Sequence, residues 1–130
     1  MLSIERIQAL LDGICEELPA AFYKHLNGGI CLLPGVKRNP LGAGLLILGE
    51  YNRGGALGRY INIYYGSIMH VYGGLNEAQI KEKLREVLLH EFTHHLESLA
   101  GEHSLEVKDR HFLENYLHKG RADDTAFPAP

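Results

Sequence analysis

The chain is poor in cysteine, lacks any long apolar run and carries no excess of basic charge, and each shortage removes a class of function. Its two cysteines, Cys15 and Cys31, lie far apart, with no second cysteine or histidine at ligand spacing, and are expected to pack as free thiols. The opening residues Met1-Leu2-Ser3-Ile4-Glu5-Arg6 have neither a basic start nor a continuous apolar stretch, so a cytoplasmic location is expected. No segment approaches the roughly 20 apolar residues that a membrane-spanning helix requires, and no membrane partner is expected. A formal net charge of -3 offers no surface for polyanions, which sets nucleic acid aside as a partner. At 130 residues there is room for one core, but not for the two full lobes that flank a typical peptidase cleft. No internal repeat is visible.

What remains is a clear alternation of patterns. Ser3 can cap a helix over residues 4–18, whose Ile4, Ile7, Leu10, Leu11, Ile14 and Leu18 recur at helical spacing before Pro19. A short helix over residues 20–26 ends at Asn27-Gly28-Gly29. Residues 30–33 read as a short strand, and 37–44, with proline and glycine, as a loop. Residues 45–51, 60–65 and 68–72 are apolar, aromatic and β-branched and predict three strands of a small, mostly antiparallel sheet. Gly54, Gly55 and Gly58 fit a hairpin connection; no lysine or Ser/Thr follows in the pattern that a phosphate loop requires. Asn76 and Glu77 start the longest helix, expected to run to about Ala100 with Gly101 as its stop, and a last helix spans residues 106–118.

The long helix carries the chemistry. It contains His90-Glu91-Phe92-Thr93-His94, and at about 100° per residue the two histidines stand about 40° apart and one turn along the axis, so that both imidazoles can face one ion. Ile80, Leu84, Val87, Leu88, Phe92, Leu96 and Leu99 form a core face beside the pair, with Glu91 just inside its margin. A catalytic zinc takes three protein ligands and leaves its fourth position to water, and a carboxylate placed like that of Glu91 can take a proton from that water. Peptide or amide hydrolysis is the reaction class that follows.

His90-Glu91-Phe92-Thr93-His94-His95, on a long helix after a short sheet in so small a chain, resembles the minimal zincin-like metallopeptidase family of bacteria. Leu26-Asn27-Gly28-Gly29-Ile30, Leu48-Gly49-Glu50-Tyr51, Gly58-Arg59-Tyr60-Ile61, Tyr64-Tyr65-Gly66-Ser67 and the run from His94 to Glu102 are similar to its clostridial variant. The resemblance covers most of the chain. It implies a compact, zincin-like α+β domain over residues 1–119 and a zinc-dependent peptidase acting on peptide or protein substrates, while residues 120–130, small, polar and proline-bearing, read from their composition as a flexible tail. The family's third metal ligand is an aspartate three residues after a glycine, but three residues after Gly101 stands Ser104, a poor ligand. A longer turn would let Asp109, whose surroundings resemble those of the family's aspartate, complete a set with His90 and His94. Three rivals stay open. Glu97 shares the face of the two histidines, Glu102 lies just past the turn, and Glu114 follows His94 by the spacing of thermolysin-type peptidases.

His95 falls amid Leu88, Phe92 and Leu99 on the wheel and is expected to be a packed histidine that donates to a backbone carbonyl or a carboxylate. His70, Tyr51, Tyr64 and Tyr65 could polarise a carbonyl, although aromatic residues in strands mostly pack. Residues 61–65 or 68–72 are the expected edge for an extended peptide. Two other readings use the same residues: a zinc-stabilised module that binds peptides without cutting them, and a hydrolase of some other amide.

Overall fold

The computed structural model describes residues 1–42, 44–103 and 105–120. The side chain of Ser3 accepts a hydrogen bond from the Arg6 amide and opens helix α1 (Ile4–Glu17), which buries Ile7, Leu10, Leu11 and Ile14. Leu18 caps its end, and Pro19 starts a single 3-10 turn (Ala20–Tyr23), where Phe22 packs on Phe92 with ring centroids 4.9 Å apart. Strand β1 (Gly29–Leu33) comes next, as its sequence suggests.

The loop expected at residues 37–44 begins instead as strand β2 (Lys37–Arg38), paired antiparallel with β3 (Leu46–Ile47). The apolar run at 45–51 is thereby divided between two sheets, because β4 (Gly49–Arg53) pairs with β5 (Arg59–Tyr64). In the three-stranded sheet the order is β1-β5-β4, with β1 parallel and β4 antiparallel to β5. A mixed sheet therefore replaces the mostly antiparallel one. Strand β5 is central, so its backbone is paired on both sides and cannot serve as the free edge expected at 61–65.

The third expected strand is a helix, α2 (Tyr65–Tyr72). Its β-branched and aromatic residues suit a strand, but Tyr65, Ile68, Met69 and Tyr72 also recur at helical spacing, and Ile68 and Met69 are buried. The Ser67 hydroxyl accepts from the Lys37 amide, and the Gly66 amide donates to the Gly35 carbonyl, where a Cβ would stand 2.7 Å from backbone atoms. This close approach anchors the first turn of α2 under β2 and excludes residues 68–72 as an edge.

Helix α3 (Glu77–Gly101) crosses the sheet, and α4 (Val107–Gly120) packs on its later half. The result is an α+β domain with four helices and two small sheets among the described residues. Its core lies between α1, α3 and the three-stranded sheet, with Ile61, Ile63, Leu84, Leu88 and Phe92 at most 1% exposed. No helix among the described residues is long and apolar enough to cross a membrane. Helix α4 runs through Gly120, and the rest of the tail expected over 120–130, like Ser104, lies outside the described residues.

Candidate metal centre

Asn76 and Gln79 exchange side-chain and backbone hydrogen bonds in a capping box that fixes the start of α3. Every apolar residue assigned to the core face by the helical wheel is buried, which fixes the rotation of the helix. Strand β4 rests against it along several residues, most tightly at Gly49. A Cβ on Gly49 would meet Val87 Cγ1 at 2.9 Å and Glu91 Cγ at 3.3 Å, so the absence of a side chain lets the strand lie directly over Glu91.

The rings of His90 and His94 have centroids 5.0 Å apart and planes at 89°. An ion about 2.1 Å from one nitrogen of each ring, with a tetrahedral angle between them, puts the ring centroids about 5 Å apart. His94 Nε2 and Glu91 Oε1 are buried and have no hydrogen-bond partner among the described residues. Orphaned polar atoms of this kind are costly, and an ion-binding site accounts for them without strain. The pair and its carboxylate thus fit a small divalent cation.

Glu91 is 1% exposed. Burial pushes its carboxyl up to about 8, the nearby Glu50 charge adds to the rise, and the Tyr51 backbone amide opposes it. Glu50 is the residue that the sequence reading missed. It sits on β4, takes the Lys37 ammonium at 2.7 Å and the Tyr64 hydroxyl, and lines a cavity of about 660 Å³ together with Tyr51, Arg53, His94 and Glu97. Its only signal in the sequence is an acidic residue inside an otherwise apolar run.

The four candidate carboxylates are engaged in different ways. Asp109 holds Lys24 Nζ at 2.7 Å and lines neither cavity found beside α3. Glu102 pairs with Arg59 and Arg53 and lines the larger cavity; Glu114 pairs with Arg110 at 3.3 Å and lines a smaller one between α3 and α4. Glu97 lies 3.4 Å from His94 Nδ1 and borders both cavities. No cluster of three or more His, Cys, Asp or Glu able to hold an ion forms among the described residues, so the structure brings together the two histidines and not the third ligand.

His95 takes the expected structural place. It is 2% exposed, its Nε2 lies 2.8 Å from the Lys24 carbonyl and its Nδ1 2.9 Å from the Tyr51 hydroxyl. Burial lowers its pKa, so the neutral ring donates from Nε2 and accepts at Nδ1. Of the polar groups considered for a substrate carbonyl, Tyr51 reaches the cavity with its hydroxyl engaged by His95, Tyr65 donates to the Leu2 carbonyl, and His70 lies exposed on α2.

No family model matches the chain, and neither does any curated protein. Among solved structures, a conserved hypothetical protein from Thermo thermophilus is similar, with a TM-score of 0.69 and 36% sequence identity over 77% of this chain and 99% of that one.

Proposed function

The chain belongs to the family of the conserved hypothetical protein from Thermo thermophilus, and within it we propose that this member is a zinc-dependent metallopeptidase of the minimal zincin-like kind. One observation carries the reading: on α3, two imidazoles 5.0 Å apart flank in sequence a carboxyl that is buried with Oε1 unpartnered. His90 and His94 would hold the ion, and Asp109 is the proposed third ligand, with Glu97, Glu102 and Glu114 as rivals. When bound, zinc supplies an acidified water near neutral pH and polarises a substrate carbonyl.

The chain's own residues do the rest. Burial raises the Glu91 carboxyl in the metal-free protein, and a cation held beside it would favour the carboxylate again, so that Glu91 can accept the proton released as water adds to the carbonyl carbon and then give it to the amine as the C–N bond breaks. Strand β4 is an outer strand of its sheet, and its residues Glu50, Tyr51 and Arg53 border the cavity that contains His94. An extended peptide can add to this edge through backbone hydrogen bonds and be laid across the site. That replaces residues 61–65 and 68–72 as the docking edge.

The test is the Glu91→Gln variant, compared with the wild type on an unstructured protein mixture with zinc, with chelator, and with zinc restored. Unchanged zinc content and loss of cleavage are expected; cleavage at the wild-type rate would remove Glu91 from the reaction. The same β4 edge also favours a second reading, a module that binds peptides without cutting them, for which the zinc-loaded wild type would bind peptide and yield no products. Mass spectrometry of the products separates peptide hydrolysis from hydrolysis of another amide.

A further inference from the structure

The proposed metal pair leaves unexplained a carboxylate next to the second histidine. Glu97 Oε1 lies 3.4 Å from His94 Nδ1, one helical turn along α3, with 69% of its side chain exposed. The other carboxylates around the two cavities have Lys or Arg partners: Glu50 has Lys37, Glu102 has Arg59, and Glu114 has Arg110. Among the described residues, the group found within 4 Å of the Glu97 carboxylate as a possible ionic partner is the His94 ring, at 3.4 Å, which is charged only when protonated.

The two nitrogens of the His94 ring therefore meet opposite environments. Nδ1 faces a carboxylate oxygen, while Nε2 is buried with no hydrogen-bond partner. A neutral imidazole has one proton to place, and a carboxylate beside one nitrogen draws it there, since a lone pair in that position would meet only oxygen lone pairs. Nε2 is then left as a lone pair, the form that a metal ion requires.

We infer that Glu97 is a positioning residue that holds His94 in the tautomer protonated on Nδ1 and presents Nε2 as a ligand. It rests on the proposed metal site for the use of that lone pair, while the tautomer itself is a property of the metal-free protein. Glu97 does not ligate in this arrangement. The two ring nitrogens point to different sides of the imidazole, so a carboxylate 3.4 Å from Nδ1 stands away from an ion bound at Nε2.

The test uses the full chain in three forms: wild type, Glu97→Ala and Glu97→Gln. Both replacements are at an exposed helical position that tolerates them, and glutamine keeps an oxygen that can accept from Nδ1. First, long-range proton–nitrogen NMR of the metal-free proteins reads the tautomer of His94. The wild type and Glu97→Gln are expected to show the proton on Nδ1, and Glu97→Ala to shift it toward Nε2. A wild-type proton on Nε2, or no change in Glu97→Ala, overturns the inference whether or not zinc binds.

Second, zinc affinity is measured by competition with a chromophoric chelator. Loss of such an orienting partner weakens zinc by about 10- to 100-fold in Glu97→Ala, with most of the affinity regained in Glu97→Gln. Equal weakening in both variants would make Glu97 a ligand and overturn its positioning role. Failure of the wild type to bind zinc, with the expected tautomers in place, would remove the metal reading and leave the positioning of the ring intact.

Discussion

His95 and Lys24 are joined across 71 positions of sequence by a hydrogen bond from the ring Nε2 to the backbone carbonyl, 2.8 Å long. The same Lys24 extends its ammonium to Asp109 at 2.7 Å, so one residue ties the long helix, the segment after the 3-10 turn and the start of α4. The helix that carries the histidine pair is thereby fixed to its surroundings beside the pair itself.

Replacing His95 tests this tie. His95→Phe keeps a flat ring, larger than the imidazole, but strands the Lys24 carbonyl and the Tyr51 hydroxyl, and is expected to cost about 2 kcal/mol in urea unfolding of the metal-free protein. His95→Gln can donate to that carbonyl and should lose less. Burial holds the ring below its ordinary value of 6.5, so the folded state resists protonation. Stability is thus complete above the unfolded value and falls as pH drops through it, a slope that His95→Gln should lack. Equal stability of the Phe variant and the wild type would show the tie to be idle.

The titration of Glu91 gives a slope of the opposite sign. Its folded carboxyl is pushed up to about 8, against an ordinary value of 4.5. Below 4.5 both states are protonated and nothing is lost; between 4.5 and about 8 the unfolded chain releases the proton and the folded one keeps it, so stability falls as pH rises. Urea unfolding of the metal-free protein across this window should show Glu91→Gln gaining steadily on the wild type. Parallel curves would place an ionised carboxylate at this site.

Much of the helical framework was legible because it rests on local signals. Ser3, the apolar spacing of α1, the Asn76 cap and the core face of α3 each act within a turn or two. Asn76 and Gln79 close a box over three residues, and the packed role of His95 followed from its place on the wheel. The strands were less legible, since pairing partners lie far apart in sequence. Nothing local to residues 45–51 says that Leu46 faces Arg38 while Tyr51 faces Ile61. Residues 68–72 misled because β-branched composition and helical spacing pointed in different directions, and the docking of Gly66 on Gly35 decided between them. Glu50 was hidden for a related reason: its closeness to Glu91 comes from the contact of β4 with α3 at Gly49.

That contact is itself open to test. Gly49→Ala would place a methyl 2.9 Å from Val87 Cγ1 and 3.2 Å from Ile63 Cδ1, forcing β4 away from α3. Overpacking of this kind costs about 1–3 kcal/mol, read as a lower urea midpoint. A fully tolerated alanine would mean that the strand does not press on the helix.

The third ligand can be found by subtraction. Zinc affinities of Asp109→Asn, Glu102→Gln and Glu114→Gln are expected to fall steeply in the first and stay near wild type in the others. Lys24→Met removes the competitor held by Asp109 and should tighten zinc binding. A loss confined to Glu102 or Glu114 would move the ligand to that residue.

An anomalous difference map from a zinc-soaked crystal, collected at the zinc absorption edge, puts the whole proposal at stake. One peak is expected about 2.0–2.1 Å from a nitrogen of both His90 and His94. A map with no peak between these rings would leave Glu91 without a reaction to serve.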